Sequence, residues 1–348
     1  MTMNNKELID LLRQSQHLDH DGYKQLLTSL TKEDEDYLYK NACAVREEVY
    51  GKDVYLRGLI EFSNYCKNNC FYCGIRKDNL KAERYRLTPG DIVACAEKGY
   101  QLGFRTVVLQ SGEDMWFSDE MICEIVKAIK ALHPDMAITL SIGEKEKDSY
   151  RKYFEAGAER YLLRQETSNP EHYRQLHPKE LSIAHRKQCL QDLKDIGYQV
   201  GCGIMVGTPG QTYDHIIEDL IYMKDFNPHM VGIGPFIPHA DTPFKDEPRG
   251  TLEDTLHLLG IIRLMLPHCL LPATTALGTI DPLGREKGLL AGANVVMPNL
   301  SPRGVRSKYM LYDGKICTGE EAAECHACME RRIKRTGYEV VEARGDYR

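Results

Sequence analysis

No stretch of eighteen consecutive apolar residues occurs in this 348-residue sequence, so a membrane-spanning helix is not expected. A basic excess is missing too. The formal charge is -6, which argues against a broad nucleic-acid-binding surface. The opening MTMNNKELIDLLRQSQ has acidic residues and lacks the continuous apolar core of a secretory signal, so a cytoplasmic protein is expected. Low-complexity tracts and internal repeats are also absent. The remaining composition, 42% hydrophobic and 28% charged, is that of a globular chain. Its length suits one large domain with additions or two ordinary ones, with a sizeable core.

Cysteine, by contrast, is abundant: there are twelve. Reduced thiols in such a chain point to metal binding or catalysis rather than disulfides. Six fall in two compact groups, Cys66, Cys70, Cys73 and Cys317, Cys325, Cys328. The other six, Cys43, Cys95, Cys123, Cys189, Cys202 and Cys269, sit in apolar surroundings and read as small buried hydrophobes.

Residues 1–52 read as a helical segment, with apolar positions at helical spacing and Gly51 at the end. From residue 53 the pattern changes. Short apolar, β-branched runs alternate with longer amphipathic ones, and Gly or Pro marks most junctions. Eight strand candidates cover 54–62, 106–112, 137–143, 160–167, 199–207, 230–238, 270–276 and 294–299. Eight successive βα units predict an α/β fold, a complete (β/α)8 TIM-type barrel over 53–300. An open doubly wound sheet would carry the same local signals, so the count of strands is the argument for closure. Residues 301–348 read as a C-terminal extension holding the second cysteine group.

In such a barrel the site lies at the C-terminal ends of the strands. The polar oddities fall there: the first three cysteines, Gln110 to Glu113, Arg160, Arg164 and Glu166, Met205 with the turn GTPG, Pro235, Pro238 and His239, Thr274 and Thr275, and Met297 and Asn299. Along the fourth strand, alternation puts Arg160, Leu162, Arg164 and Glu166 on one face. Tyr161, Leu163 and Gln165 share the other, which suits packing on helices. Two arginines and a glutamate inside a lumen are costly unless paired. An internal Arg–Glu pair accounts for one arginine. An anionic ligand is the expected partner of at least one of them, because the guanidinium fork fits carboxylates.

The stretch CKNNCFYCG spaces three cysteines as C-x3-C-x2-C. A structural zinc site would need a fourth ligand from elsewhere. A four-iron cluster held by three thiolates keeps one iron open.

These residues, Cys66, Cys70, Tyr72 and Cys73 after the first barrel strand, resemble the radical S-adenosylmethionine (SAM) superfamily. Across nearly the whole chain, LQSGED, RYLLRQET, MVGTPGQT, PFIPH, PATTALGT and NVVMPN are similar to its HydE family of [FeFe]-hydrogenase maturases. Biotin synthase and methylornithine synthase are relatives. The resemblance implies a [4Fe–4S] cluster on Cys66, Cys70 and Cys73, with SAM bound to the open iron and cleaved by one electron to a 5′-deoxyadenosyl radical. It implies SAM contacts at Tyr72, Ser111, Gly112, Glu113, Glu166, Arg186 and Met205. Cavity residues that would meet substrate are Gln110, Arg160, Arg164, Thr274, Thr275, Met297, Tyr309 and Tyr312. A threonine or methionine inside a barrel also has a plain packing reading.

For Cys317, Cys325 and Cys328 the resemblance implies an auxiliary [2Fe–2S] or [4Fe–4S] cluster. Chance clustering, or zinc with His326 as fourth ligand, are the plain alternatives. The implied substrate is small, a sulfur-containing compound or a cysteine-bound iron carbonyl–cyanide. A one-electron reductant and the maturases HydG and HydF are the implied partners. A biotin synthase-like or methylornithine synthase-like enzyme, and a non-catalytic iron–sulfur scaffold, are the competing readings.

Overall fold

The computed structural model describes residues 3–319 and 322–348. Three helices lead in: Asn5–Ser15, His20–Thr28 and Lys32–Tyr50. Each starts where a short polar side chain, Asn4, Asp19 or Thr31, accepts a first-turn backbone N–H, a cap of about 1 kcal/mol. The third ends at Gly51, whose φ is 59°. Leu8, Ile9, Leu12, Leu26 and Leu38 bury these helices against the rest of the molecule.

The strands are β1 Asp53–Leu56, β2 Gly58–Ser63, β3 Thr106–Ser111, β4 Ala137–Ser141, β5 Arg160–Leu162, β6 Gln199–Cys202, β7 Met205–Val206, β8 Met230–Val231, β9 Gly234–Pro235, β10 Val295–Val296 and β11 Glu339–Val341. A six-stranded parallel sheet runs β2-β3-β4-β5-β6-β8. Parallel bridges then carry the ladder round: Met230 to Leu270, Pro272 to Val295, and Leu59 to Asn299. β10 also pairs with β1. The sheet therefore closes on itself as a barrel, with helices in the crossovers outside. All eight strand candidates lie on it. The seventh is reduced to two bridge residues, because the PATT segment turns into the helix Thr275–Ile280.

The extension is better ordered in space than its composition suggests. β11 lies parallel to β1, with Val54 opposite Val340. The chain end then passes under the barrel, where Gly345 sits so close to Tyr55 that a Cβ would lie 2.5 Å from its ring, at φ 59°. Tyr347 packs edge-on against His229.

Among the described residues, no helix is long and apolar enough to cross a membrane.

Candidate active site

The pairing of β2 with β3 shifts register between Glu61 and Ser63. Such irregularities re-aim a chain at a strand end, and here the cysteine loop begins. The Ser63 hydroxyl donates to Asp114 at 2.6 Å, and Arg86 grips the same carboxylate with bonds of 2.6 and 2.9 Å. Burial alone would raise the Asp114 carboxyl, but Arg86, Ser63 and the Trp116 N–H outweigh it and hold it low. Asp114 thus staples the loop ends together. Gly112 faces the loop backbone directly, since a Cβ there would lie 2.2 Å from the Tyr65 carbonyl oxygen. Gly74 is as crowded, 2.2 Å from the Met310 carbonyl oxygen.

Cys66, Cys70 and Cys73 are half-buried free thiols on this loop. Burial, then repulsion among the three, pushes Cys70 far up and Cys73 up to about 12. The Glu113 N–H points at the Cys66 sulfur at 3.4 Å. Among the described residues no three Cys, His, Asp or Glu side chains are posed around a single metal ion. Three soft donors on one loop, coupled to each other and met by a backbone N–H, fit a sulfur-bridged cluster better than a tetrahedral zinc.

Tyr72 is half-buried, and its hydroxyl lies 3.1 Å from Nε2 of His177. Nδ1 of His177 is 3.0 Å from the Tyr173 carbonyl. It donates there, so Nε2 accepts the Tyr72 proton. Burial, then Arg186, lowers His177 to about 3 and keeps the ring neutral. Tyr173 stacks on the same ring at 3.9 Å. The Phe71 N–H also bonds the Leu176 carbonyl at 2.9 Å, so the helix Pro170–Leu176 clamps the loop from outside. Sequence reasoning missed His177. The HP pair at the helix end was its only signal.

Glu166 takes a left-handed φ of 66°, rare for a side chain of its kind. Its carboxylate is 3.0 Å from Arg164. Burial raises its pKa, and Arg164 and Arg186 partly oppose that. Arg186, on the helix Ile183–Ile196, pairs with Glu144 and donates to the Arg164 carbonyl at 2.6 Å. Arg186 and Glu166 both lie within electrostatic reach of Tyr72 and the cysteines. The structure therefore brings together Cys66, Cys70, Cys73, Tyr72, Glu166 and Arg186. Glu113 stands beside them, its carboxylate accepting the Glu144 N–H at 2.9 Å and lying 3.2 Å from Lys67. The Ser111 hydroxyl bonds the Gly112 carbonyl at 2.6 Å. Met205 begins β7 at the end of the fifth barrel strand, its carbonyl tied to Gln211 at 2.9 Å.

Of the expected cavity residues, Gln110 donates to the Tyr309 hydroxyl at 3.3 Å, and Tyr312 is raised to about 12 by burial. Among the described residues the buried Thr274 hydroxyl has no partner, and Thr275 accepts from Arg285 at 3.3 Å. Met297 packs against the small cluster of Tyr55, Met230 and Val295.

Arg160 is a correction. It opens β5, so it lies at the N-terminal end of the barrel, away from the cysteines. Its guanidinium is 2.7 Å from Asp346 and donates to the Arg344 carbonyl and to Thr106, each at 3.1 Å. Arg160 is met by Asp346 and the Arg344 carbonyl near the end of the chain, and Arg164 by Glu166. The outward face of the strand is as expected, with Tyr161 edge-on to Tyr150 and Tyr198.

In the extension, Cys325 and Cys328 share a face of the helix Ala322–Lys334. Arg285 donates to the Cys317 sulfur at 3.4 Å. His326 meets Phe104 edge-on at 5.4 Å.

A cysteine loop of this form at the C-terminal mouth of a closed parallel barrel defines a radical SAM enzyme, and the Radical SAM superfamily profile matches residues 60–223. The chain is 44% identical over 335 residues to the [FeFe] hydrogenase maturase subunit HydE of Thermotoga maritima, covering 96% of this chain and 95% of that one. The chain belongs to the HydE family. A 3-methylornithine synthase of Methanosarcina acetivorans is 32% identical, covering 80% and 79% of the two chains. The crystal structure of methylornithine synthase (PylB) superposes with a TM-score of 0.82 at 28% identity, over 96% and 97% of the chains. A [4Fe–4S] cluster and SAM are the cofactors of this superfamily.

Proposed function

We propose that this enzyme acts in assembly of the diiron centre of [FeFe]-hydrogenase, on a small sulfur-containing or cysteine-bound iron carbonyl–cyanide substrate. The observation that carries the reading is the likeness to HydE along almost the whole chain, supported by the cysteine loop facing a closed lumen. Cys66, Cys70 and Cys73 would hold the cluster. Tyr72, Ser111, Gly112, Glu113, Glu166, Arg186 and Met205 would hold SAM. When bound and reduced, these groups supply one-electron cleavage of the sulfur–C5′ bond of SAM.

The chain's own residues do the rest. Gly112 and Asp114 fix the loop. His177 orients the Tyr72 ring. Arg186 offers positive charge to a carboxylate, and Glu166 offers negative charge to an ammonium or hydroxyl. Gln110, Arg164, Thr274, Thr275, Met297, Tyr309 and Tyr312 would face substrate, and a closed barrel excludes water from the reactive centre. A one-electron reductant, with HydG as supplier and HydF as acceptor, are the proposed partners.

The test is anaerobic. The reconstituted, reduced protein receives SAM with and without a cysteine-ligated iron dicarbonyl cyanide complex, and 5′-deoxyadenosine is quantified. A complex-dependent change in SAM turnover, or an adenosyl adduct of the complex, supports the reading. SAM cleavage indifferent to the complex would move the substrate towards those of methylornithine synthase or biotin synthase. No cleavage with an intact reduced cluster would leave an iron–sulfur scaffold.

Cys317, Cys325 and Cys328 are proposed to hold an auxiliary cluster that the core reaction does not use. Cys325→Ala is expected to lower iron content while SAM cleavage stays within about twofold of the parent. Loss of cleavage would reverse that assignment.

A further inference from the structure

Residues 308–317 cross the C-terminal mouth of the barrel as a strap. One end is held at the cysteine loop, where Asn64 donates to the Lys308 carbonyl at 2.7 Å and the Gly74 N–H to the Leu311 carbonyl at 2.9 Å. The middle is held at the sixth barrel strand, where the Asp313 N–H bonds the Pro238 carbonyl at 3.1 Å. Side chains add to the rim contacts, where the Asp313 carboxylate accepts the Ala240 N–H at 2.8 Å and Lys308 pairs with Glu83.

Below the rim the strap is tied by a buried ion pair. Lys315 reaches inward to Glu61 of β2 at 2.5 Å, their side chains only 6% and 1% exposed. The other oxygen of Glu61 accepts from Asn299 at 2.8 Å. Lys315 also donates to the Tyr309 carbonyl at 2.8 Å and stands 4.9 Å from the centre of its ring. The Tyr309 hydroxyl in turn accepts from Gln110, the residue opposite Glu61 on β3. A buried pair of this kind adds little net stability over apolar side chains of equal size. It specifies one arrangement, because either charge alone in that place is severely penalised.

We propose that Glu61 and Lys315 are positioning residues of the radical reaction: their ion pair seats the strap so that Tyr309 and Tyr312 seal the barrel mouth. The seal keeps hydrogen donors in solution away from the adenosyl radical. The inference rests on the radical SAM chemistry and is independent of the substrate proposed above.

The experiment uses the reconstituted full chain with SAM and dithionite as probe, in buffer containing perdeuterated glycerol and no other substrate. A 5′-carbon radical exposed to solvent takes a deuterium atom from a glycerol C–D bond. That leaves a glycerol carbon radical, two of which disproportionate to glycerol and its carbonyl oxidation product, and the event is read as singly deuterated 5′-deoxyadenosine. In the native protein, amides of 308–317 are expected to exchange at least about tenfold more slowly than exposed loops, with little label. Fast exchange there overturns the proposal without any variant.

The double variant Glu61→Gln with Lys315→Met removes both charges, so no lone buried ion remains. It is expected to load iron normally and hold KM for SAM within about threefold, while strap exchange and label each rise about tenfold or more. Lys315→Met alone is expected to do the same with an added loss of thermal stability. Unchanged exchange and label in the double variant would sink the proposal, as would a rise in label matched by a loss of SAM binding.

Discussion

At the residue scale, two buried groups behind the site make sharp predictions. Asp219 lies fully buried on the outer helix Tyr213–Phe226 and accepts the Ser168 N–H at 2.5 Å, two residues after Glu166. Burial raises its carboxyl from 3.8 to about 7, with Ser168 and Lys187 opposing. The folded chain therefore holds this proton more tightly than the unfolded one. Its contribution to stability is full below about pH 4 and is lost as pH rises through about 7. Asp219→Asn removes the titration. Its melting temperature relative to the parent is expected to rise by roughly 2 °C or more between about pH 5 and pH 8, and a flat difference would refute the assignment. The second group is the Tyr72–His177 pair. Tyr72→Phe and His177→Ala are expected to be non-additive by about 1 kcal/mol in unfolding free energy. Strict additivity would mean the bond is not made. The cysteines and Tyr72 were legible because their spacing is itself the signal. Glu61, His177, Asp219 and Lys315 were not. Each is a lone polar residue in an apolar or loop context, and its meaning lies in a partner far along the chain, 254 residues away for Glu61 and Lys315.

At the scale of elements, the cysteine loop is placed by glycine as well as by the Asp114 and His177 side-chain bonds. Gly112→Ala puts a methyl group 2.2 Å from the Tyr65 carbonyl oxygen and 2.8 Å from the Cys66 Cβ. The loop must move, while the barrel strands beneath need not. Iron content after reconstitution is expected to fall about threefold or more, with far-ultraviolet circular dichroism unchanged and a melting loss of about 1–3 kcal/mol. Normal iron loading would show that the loop tolerates the shift. Strand positions could be read from the sequence because each buried run is β-branched and bounded by turn residues. The length of each ladder could not. The fourth, fifth, sixth and eighth strands are only two to four residues long in regular pairing and the seventh is two isolated bridges, since their C-terminal ends peel away to present side chains.

At the scale of the whole molecule, the C-terminus closes the bottom of the barrel as the strap closes the top. Asp346 answers Arg160, the Gly345 carbonyl answers Arg57 at 3.3 Å, and Arg344 answers Glu159 at 3.1 Å. Asp346 is 44% exposed, so its loss is moderated by solvent. Asp346→Ala is expected to cost about 1–2 kcal/mol and to leave SAM cleavage per bound cluster unchanged. A loss of cleavage with stability intact would return Arg160 to the reacting cavity.

The sequence by itself determined the barrel's strand count, the cysteine loop and the outward face of the fourth strand, where Tyr161 packs on Tyr150 and Tyr198. Those depend on local spacing and on the two-residue period of a strand. Only the tertiary structure decided which charges meet. Closure of the ladder brings residue 61 to 299 and 315, and residue 160 to 346. Electrostatic pairing between residues so far apart follows from where the chain ends pass, which no local pattern encodes.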